Sequence, residues 1–182
     1  MPYIIAGGII VLIILYVIST YNRLVNERLK VGNQWSQVNI ILKQRTDLIP
    51  NIVNTVSGYA SHEKEIFNNL SEARARSMSA KTPADEMKAA GEMSAALGRL
   101  FAVAEAYPDL KANVNFLELQ HQLTSIEKKI ADFRQFYNDI VMRYNKLIIT
   151  IPSNIIASMF KFEQKPFFQI TEAEAKVPEV KF

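Results

Sequence analysis

Residues 116–151 read FLELQHQLTSIEKKIADFRQFYNDIVMRYNKLIITI, and this stretch decides the fold. Apolar residues recur in it at alternating spacings of three and four, which places them on one side of an α-helix. They are Phe116, Leu119, Leu123, Ile126, Ile130, Phe133, Tyr137, Ile140, Tyr144, Leu147 and Ile151. An unbroken series of this length predicts a long helix packed in a coiled-coil-like bundle.

A second series with the same spacing lies near the N-terminus and continues past a proline. It comprises Leu24, Arg28, Val31, Trp35, Val38, Leu42, Arg45 and Ile49, and it resumes in phase at Ile52 and Val56. Pro50 has no N–H to donate and disfavours the helical conformation of the residue before it. The pattern permits one long kinked helix or two helices joined by a tight turn at residues 47–51. We favour the break, because two pieces of similar length match as antiparallel neighbours.

Start and stop signals outline the remaining helices. Residues 77–84 (SMSAKTPA) predict a loop, after which Thr82 as N-cap and Pro83 at the first helical position begin an alanine-rich helix. Tyr107-Pro108-Asp109 ends that helix and begins the last one, which Pro152 closes. We therefore expect an all-α fold, an antiparallel up-down four-helix bundle over residues 22–160. An extended tail follows at 161–182, where Pro166 and Pro178 interrupt any helix.

The first 21 residues predict a transmembrane anchor. Residues 3–18 read YIIAGGIIVLIILYVI, and no charge occurs before Arg23, so the uncharged run spans roughly 28 Å as a helix. A cleaved signal would need basic residues before the run and a small-x-small site after it, and a buried core helix is the other alternative. Basic residues follow the run and none precedes it, which favours an N-terminus outside and a body in the cytoplasm. We expect a single-pass membrane protein that contacts lipid through residues 3–21.

Composition and isolated histidines exclude several kinds of site. The 182 residues contain no cysteine, which removes disulfides, thiol catalysis and Cys-ligated metals. A net charge of +3 is too small to indicate nucleic-acid binding. His62 and His121 lack partners at metal-ligand spacing. We expect no catalytic residues, no cofactor and no metal.

Charged residues in or beside the apolar series are the candidate functional positions. An unpaired charge at a core position is unfavourable, so such residues either pair across helices or line a polar pocket that binds a small anion or peptide. The positions are Arg45, Asp47, Glu63, Arg74, Glu105, Glu127 and Arg134.

Several motifs carry a family resemblance. They are YNRLV at 21–25, RTDLIPN at 45–51, GYASHE at 58–63, EARA at 72–75 and EAYPDLKAN at 105–113. In these the chain resembles the LemA family of bacterial membrane-anchored proteins over nearly its whole length. The resemblance implies a four-helix bundle behind one membrane helix in the bacterial inner membrane, and it implies no catalytic residue or cofactor.

The predicted anchor, the two series of apolar residues and the lack of a catalytic arrangement of residues together favour an interaction protein. We expect a non-enzymatic scaffold that forms a homo-oligomer and contacts a membrane protein partner. The alternative is a membrane-tethered sensor or binding module with a polar pocket and a body outside the cytoplasm. An enzyme would require residues such as Arg45, Glu63, Glu105 and Arg134 to converge on one cleft.

Overall fold

The computed structural model describes residues 1–169, and all regular secondary structure in that range is helical. The helices are α1 (Pro2–Ser57), α2 (Lys64–Ser79), α3 (Pro83–Ala104), α4 (Pro108–Lys111), α5 (Val114–Ile149) and α6 (Ser153–Met159). The predicted all-α class and the long apolar N-terminal helix are confirmed.

The favoured break at residues 47–51 is wrong, because α1 continues through Pro50 to Ser57. Ile49 and Ile52 on either side of Pro50 are each 1% exposed. Burying two such side chains contributes about 1.5–3 kcal/mol each, which offsets the roughly 3 kcal/mol cost of an interior proline. The chain turns instead after Val56, whose carbonyl accepts hydrogen bonds from the amides of Tyr59 (3.0 Å) and Ala60 (2.9 Å).

The other predicted boundaries hold with small shifts, except that the last long helix begins at Val114 and not at Pro108. The loop at 77–84 shrinks, since α2 extends to Ser79 and α3 begins at Pro83. Thr82 is the N-cap as predicted, and its hydroxyl accepts a hydrogen bond from the Asp85 amide at 3.1 Å. Between α3 and α5 the chain forms an additional short helix, α4, which begins at Pro108.

The described chain forms two compact units. Unit 1 comprises Met1–Ser36 and Gln135–Phe167, and unit 2 comprises Gln37–Arg134 with the segment from Phe168. In unit 2, α1, α2, α3, α4 and α5 all contribute to one apolar core. Its most deeply buried side chains belong to Ile49, Ile52, Leu70, Met93, Leu100 and Leu110.

Unit 1 combines the first part of α1 with the end of α5, α6 and the segment after it. Leu24, Val141 and Tyr144 are fully buried there. The rings of Trp35 and Tyr137 meet edge-on with centroids 5.1 Å apart. Arg28, which the spacing placed in the same series, is exposed and holds its guanidinium 5.1 Å from the Phe162 ring centroid.

The start of α1 is long and apolar enough to cross a membrane. Residues 1–19 are exposed except for Val17, which is half-buried, and burial begins at Thr20 and Leu24. The described fold therefore does not bury this segment as a core helix. An exposed apolar helix of this length fits a membrane protein.

The segment after α6 has neither helix nor strand at residues 162–169. In unit 1 it packs on α5, where the Lys165 amide donates to Asn145 Oδ1 at 2.8 Å and Asn145 Nδ2 donates to the Lys165 carbonyl at 2.8 Å. The part of the predicted tail around Pro178 lies outside the described residues.

Candidate functional site

The buried guanidinium of Arg45 is the centre of the main polar cluster in unit 2. One of its terminal nitrogens, Nη1, donates to Ser94 Oγ at 3.0 Å and to Glu127 Oε1 at 3.1 Å. The other, Nη2, donates to the Ala90 carbonyl at 3.1 Å. The cluster therefore joins α1 to α3 and to α5 through one side chain.

Local helix geometry explains why these groups meet. Arg45 follows Val38 and Leu42 on the packed face of α1, so its side chain enters the core. Ala90 and Ser94 lie one turn apart on α3, and the Ser94 hydroxyl also donates to the Ala90 carbonyl at 3.2 Å. Glu127 lies beside Ile126 at the edge of the packed face of α5 and supplies the opposite charge.

The cluster has the properties of a structural lock. The Arg45 side chain is 1% exposed, whereas that of Glu127 is 37% exposed. A solute can reach the carboxylate edge but not the guanidinium. Arg45 Nε has no hydrogen-bond partner among the described residues, so the arginine holds α3 and α5 through its terminal nitrogens.

Two other predicted residues form local pairs on the surface. The Asp47 carboxylate accepts from Lys43 Nζ at 2.9 Å, one turn earlier on α1, and both side chains are more than half exposed. Glu105 pairs with Lys111 across the α3–α4 turn, also in solvent. Exposed pairs of this kind contribute about 0–1 kcal/mol to stability, so neither pair marks a binding or catalytic site.

Glu63 belongs to a contact between two turns of unit 2. Its Oε1 accepts a hydrogen bond from the Tyr107 hydroxyl at 3.3 Å, and Asn113 Nδ2 donates to the Tyr59 hydroxyl at 2.9 Å. Burial raises the pKa of Tyr107, and the Glu63 carboxylate raises it further. The motif at residues 58–63 thus docks on the motif at 105–113, and these residues serve the architecture.

The two remaining predicted arginines have different surroundings. Arg74 is half-buried on α2, and its Nε has no hydrogen-bond partner among the described residues. Arg134 is half-buried on α5, with its guanidinium 5.7 Å from the Phe168 ring centroid. Among the seven predicted positions, Arg45 and Glu127 contact each other directly.

A cavity of about 380 Å³ lies in unit 2 between α1, the end of α2 and the start of α3. Asn39, Thr46 and Asp47 line one side, and Met78 and Glu86 line another. The Asn39 Oδ1 atom is buried without a hydrogen-bond partner in the described part of the chain. Both polar and apolar side chains line the cavity, and one of them belongs to Thr46, which directly follows Arg45 in α1.

Sequence reasoning missed the polar residues that hold the terminal segment in unit 1. Asn145 is 7% exposed and pairs with the Lys165 backbone, while the Tyr137 hydroxyl donates to the Pro166 carbonyl at 3.0 Å. Burial raises the pKa of Tyr137 to about 12. The available signal was Asn145 directly beside Tyr144 in the apolar series, since a buried amide requires partners.

Both histidines are exposed, and no group of three or more His, Asp or Glu side chains within residues 1–169 is placed to hold a metal ion.

Sequence reasoning also missed Asn113 as the N-cap of α5. Its Oδ1 accepts a hydrogen bond from the Phe116 amide at 3.0 Å. An Asn just before an apolar helical series is a recognisable N-cap signal.

Comparison with known proteins agrees with the motif resemblance. The sequence model of the LemA family matches residues 34–182. The chain is 25% identical to Protein LemA of Metamycoplasma hominis, over 84% of this chain and 70% of that protein. It is 26% identical to Magnetosome protein MamQ 2 of Paramagnetospirillum magneticum, over 82% of this chain and 64% of the relative.

A further match is Magnetosome protein MamQ of Magnetospirillum gryphiswaldense, 24% identical over 73% of this chain and 58% of the relative. The chain thus spans less than two thirds of the length of the magnetosome relatives it matches.

Proposed function

The chain belongs to the LemA family, and on that premise we propose that it is a membrane-anchored, non-enzymatic interaction protein that self-associates. The anchor is the start of α1, and the body is an up-down four-helix bundle formed by the long helices. We place it in a bacterial inner membrane with the body in the cytoplasm. Its partners are lipid, a second copy and a membrane protein.

The observation that carries the proposal is a contrast between charged and apolar residues. The buried guanidinium of Arg45 holds helices together, whereas large apolar side chains are exposed on the surface. Arg45 forms hydrogen bonds with residues of α3 and α5, Glu63 accepts one from Tyr107, and Glu105 pairs with Lys111. These separate contacts support a role without catalysis, because acid–base chemistry requires groups that converge on one substrate.

Exposed apolar residues outside the anchor support self-association. In unit 1, Leu29 is 63% exposed, Phe136 57% and Met142 54%. Large apolar side chains on long helices are typical of surfaces that a partner helix covers.

Self-association in the membrane is tested with single cysteines, which the natural chain lacks. Leu29→Cys is oxidised in native membranes, with Lys30→Cys as the matched control. Lys30 is the next residue, so it has the same depth but lies about 100° around the helix. We expect a disulfide-linked dimer to form several-fold faster at Leu29 than at Lys30. Equal rates, or no dimer at Leu29, would contradict self-association through this face.

The side of the membrane is tested at the α2–α3 turn. Lys81 is exposed there, so Lys81→Cys is treated on intact cells with a membrane-impermeant thiol reagent. A cytoplasmic body predicts labelling only after the cells are lysed. Labelling of intact cells would place the body outside.

The second candidate function is a membrane-tethered binding module, and the cavity beside Asn39 favours it. Its volume of about 380 Å³ suits a small ligand, and the polar side chains of Asn39, Thr46 and Asp47 line one side of it. A thermal-shift screen of small polar molecules tests this, with Met78→Trp as the variant that fills the cavity. A ligand that stabilises the natural chain but not the variant supports a binding module.

A further inference from the structure

The end of α5 and the short helix α6 display large apolar side chains on unit 1. Between 47% and 77% of each side chain is exposed; the residues are Ile149, Ile151, Ile155, Met159 and Phe160. We call this group the α6 patch. Single exposed apolar residues are normal, but five within residues 149–160 mark a surface that contacts a membrane or a protein partner.

The α6 patch adjoins the end of the membrane anchor. The ring of Phe160 packs on Tyr21 with centroids 4.7 Å apart, and Phe162 meets the same tyrosine at 5.8 Å. Tyr21 is the last residue of the predicted anchor, two residues before Arg23, and aromatic residues at the end of a membrane helix lie at the level of the lipid headgroups. Phe160 therefore brings the patch to the membrane surface.

Charge in this part of unit 1 matches an anionic surface. Between Asp139 and Glu163 the chain contains Arg143, Lys146 and Lys161 and no acidic residue. Apolar side chains interspersed with basic ones are typical of segments that lie in the interface of an anionic membrane.

We propose that the α6 patch is a second membrane-contact site, which inserts into the headgroup region of the leaflet where α1 emerges and binds anionic phospholipid. The inference rests on the anchor proposed above. The bilayer is favoured over a second copy of the chain because the anchor already holds the patch beside lipid. Tethering makes this contact intramolecular, so it requires little intrinsic affinity.

Depth-dependent fluorescence quenching tests the inference on the full chain. An environment-sensitive fluorophore is attached to single cysteines in the otherwise cysteine-free protein. The protein is reconstituted in vesicles of equal phosphatidylcholine and phosphatidylglycerol that contain a spin-labelled lipid quencher. Ile155→Cys reports on the patch, and Ile9→Cys reports on the anchor.

Phe136→Cys is the matched control. Phe136 is also apolar and 57% exposed on α5, and it precedes Ile149 by about 20 Å of helix. We expect lipid quenching at Ile9 and Ile155 that is several-fold stronger than at Phe136. At Ile155 it falls when the vesicles contain phosphatidylcholine alone.

The outcomes separate this inference from the anchor. Quenching at Ile9 but not at Ile155 overturns the α6 patch while the anchor stands, including the case in which Ile155→Cys instead crosslinks to a second copy. No quenching at Ile9 overturns the anchor itself, and the inference with it. Equal quenching at Ile155 in both kinds of vesicle overturns the preference for anionic lipid.

Discussion

Arg45 is the one buried charged side chain among residues 1–169, and its partners decide what it contributes. A buried guanidinium is tolerated when hydrogen bonds and an opposite charge satisfy it, as Ser94, Ala90 and Glu127 do here. Because the three partners lie on α3 and α5, the residue fixes the register of three helices.

Arg45→Met is expected to lower the free energy of unfolding by about 2–4 kcal/mol, since it keeps the volume but removes three hydrogen bonds and a charge partner. The control is Arg76→Met, an arginine that is 59% exposed and pairs with Glu72 and Glu92 on the surface. That change is expected to alter stability by at most about 1 kcal/mol. Thermal unfolding in detergent, followed by far-ultraviolet circular dichroism, compares them. A smaller effect at Arg45 than at Arg76 would refute the lock.

Tyr137 gives the structure a pH dependence at high pH. Its folded pKa is about 12, whereas an unfolded tyrosine ionises near pH 10. Between these values the unfolded state binds fewer protons, so the free energy of unfolding falls as pH rises. The contribution of Tyr137 to the free energy of unfolding is complete below pH 10, and about 2–3 kcal/mol of that free energy is lost by pH 12.

Tyr137→Phe is therefore expected to flatten the stability profile between pH 10 and 12. At neutral pH the same variant loses about 1 kcal/mol, because the hydrogen bond to the Pro166 carbonyl disappears. Denaturant unfolding at several pH values measures both effects. An unchanged slope above pH 10 would show that this hydroxyl ionises normally in the folded protein.

Among the helices, α1 shows where local rules and tertiary packing disagree. Pro50 is a strong local signal for a helix end, and the spacing of apolar residues through it is an equally clear signal for continuity. Packing favours the continuous helix, in which Ile49, Ile52 and Val56 all enter the same core.

Pro50→Ala is expected to raise the free energy of unfolding by about 1–3 kcal/mol, because it restores a backbone donor and removes the ring clash with the preceding turn. The melting temperature of the full chain in detergent measures this. A lower melting temperature would mean that the proline is required where it stands and that α1 is not a regular helix there.

The periodic pattern of residues 116–151 was enough to predict α5 and which of its faces is buried, since both follow from helix geometry. Its last member, Ile151, is the exception, because it lies beyond the end of α5 and is exposed. Thr82 and Pro83 likewise predicted the start of α3, because capping is local. Arg45 could be assigned to the core from its spacing. Its partner Glu127 could not be identified, because that contact spans 82 residues and depends on how the helices register.

The sequence did not predict the short helix α4 or the packing of the segment around Lys165 on Asn145. Both depend on surfaces that exist only after the long helices have packed. The cavity beside Asn39 could not be predicted for the same reason, since residues of α1, α2 and α3 line it.

At the scale of the whole molecule, the hydrophobic 49% of the sequence serves two environments. One share is buried in the cores of the two units. The other is exposed along the start of α1 and on α6, which we assign to lipid, and at Leu29, Phe136 and Met142, which we assign to a second copy. A protein that displays this much apolar surface requires a lipid or protein partner to remain soluble. This is the basis for an anchored interaction protein that self-associates.

The molar mass of the full chain, purified in mild detergent, tests that claim most directly. Size-exclusion chromatography with light scattering, corrected for bound detergent, is expected to give at least twice the 20.7 kDa chain mass, or the chain with a co-purifying membrane protein. A strict monomer of 20.7 kDa with nothing co-purifying would contradict the claim.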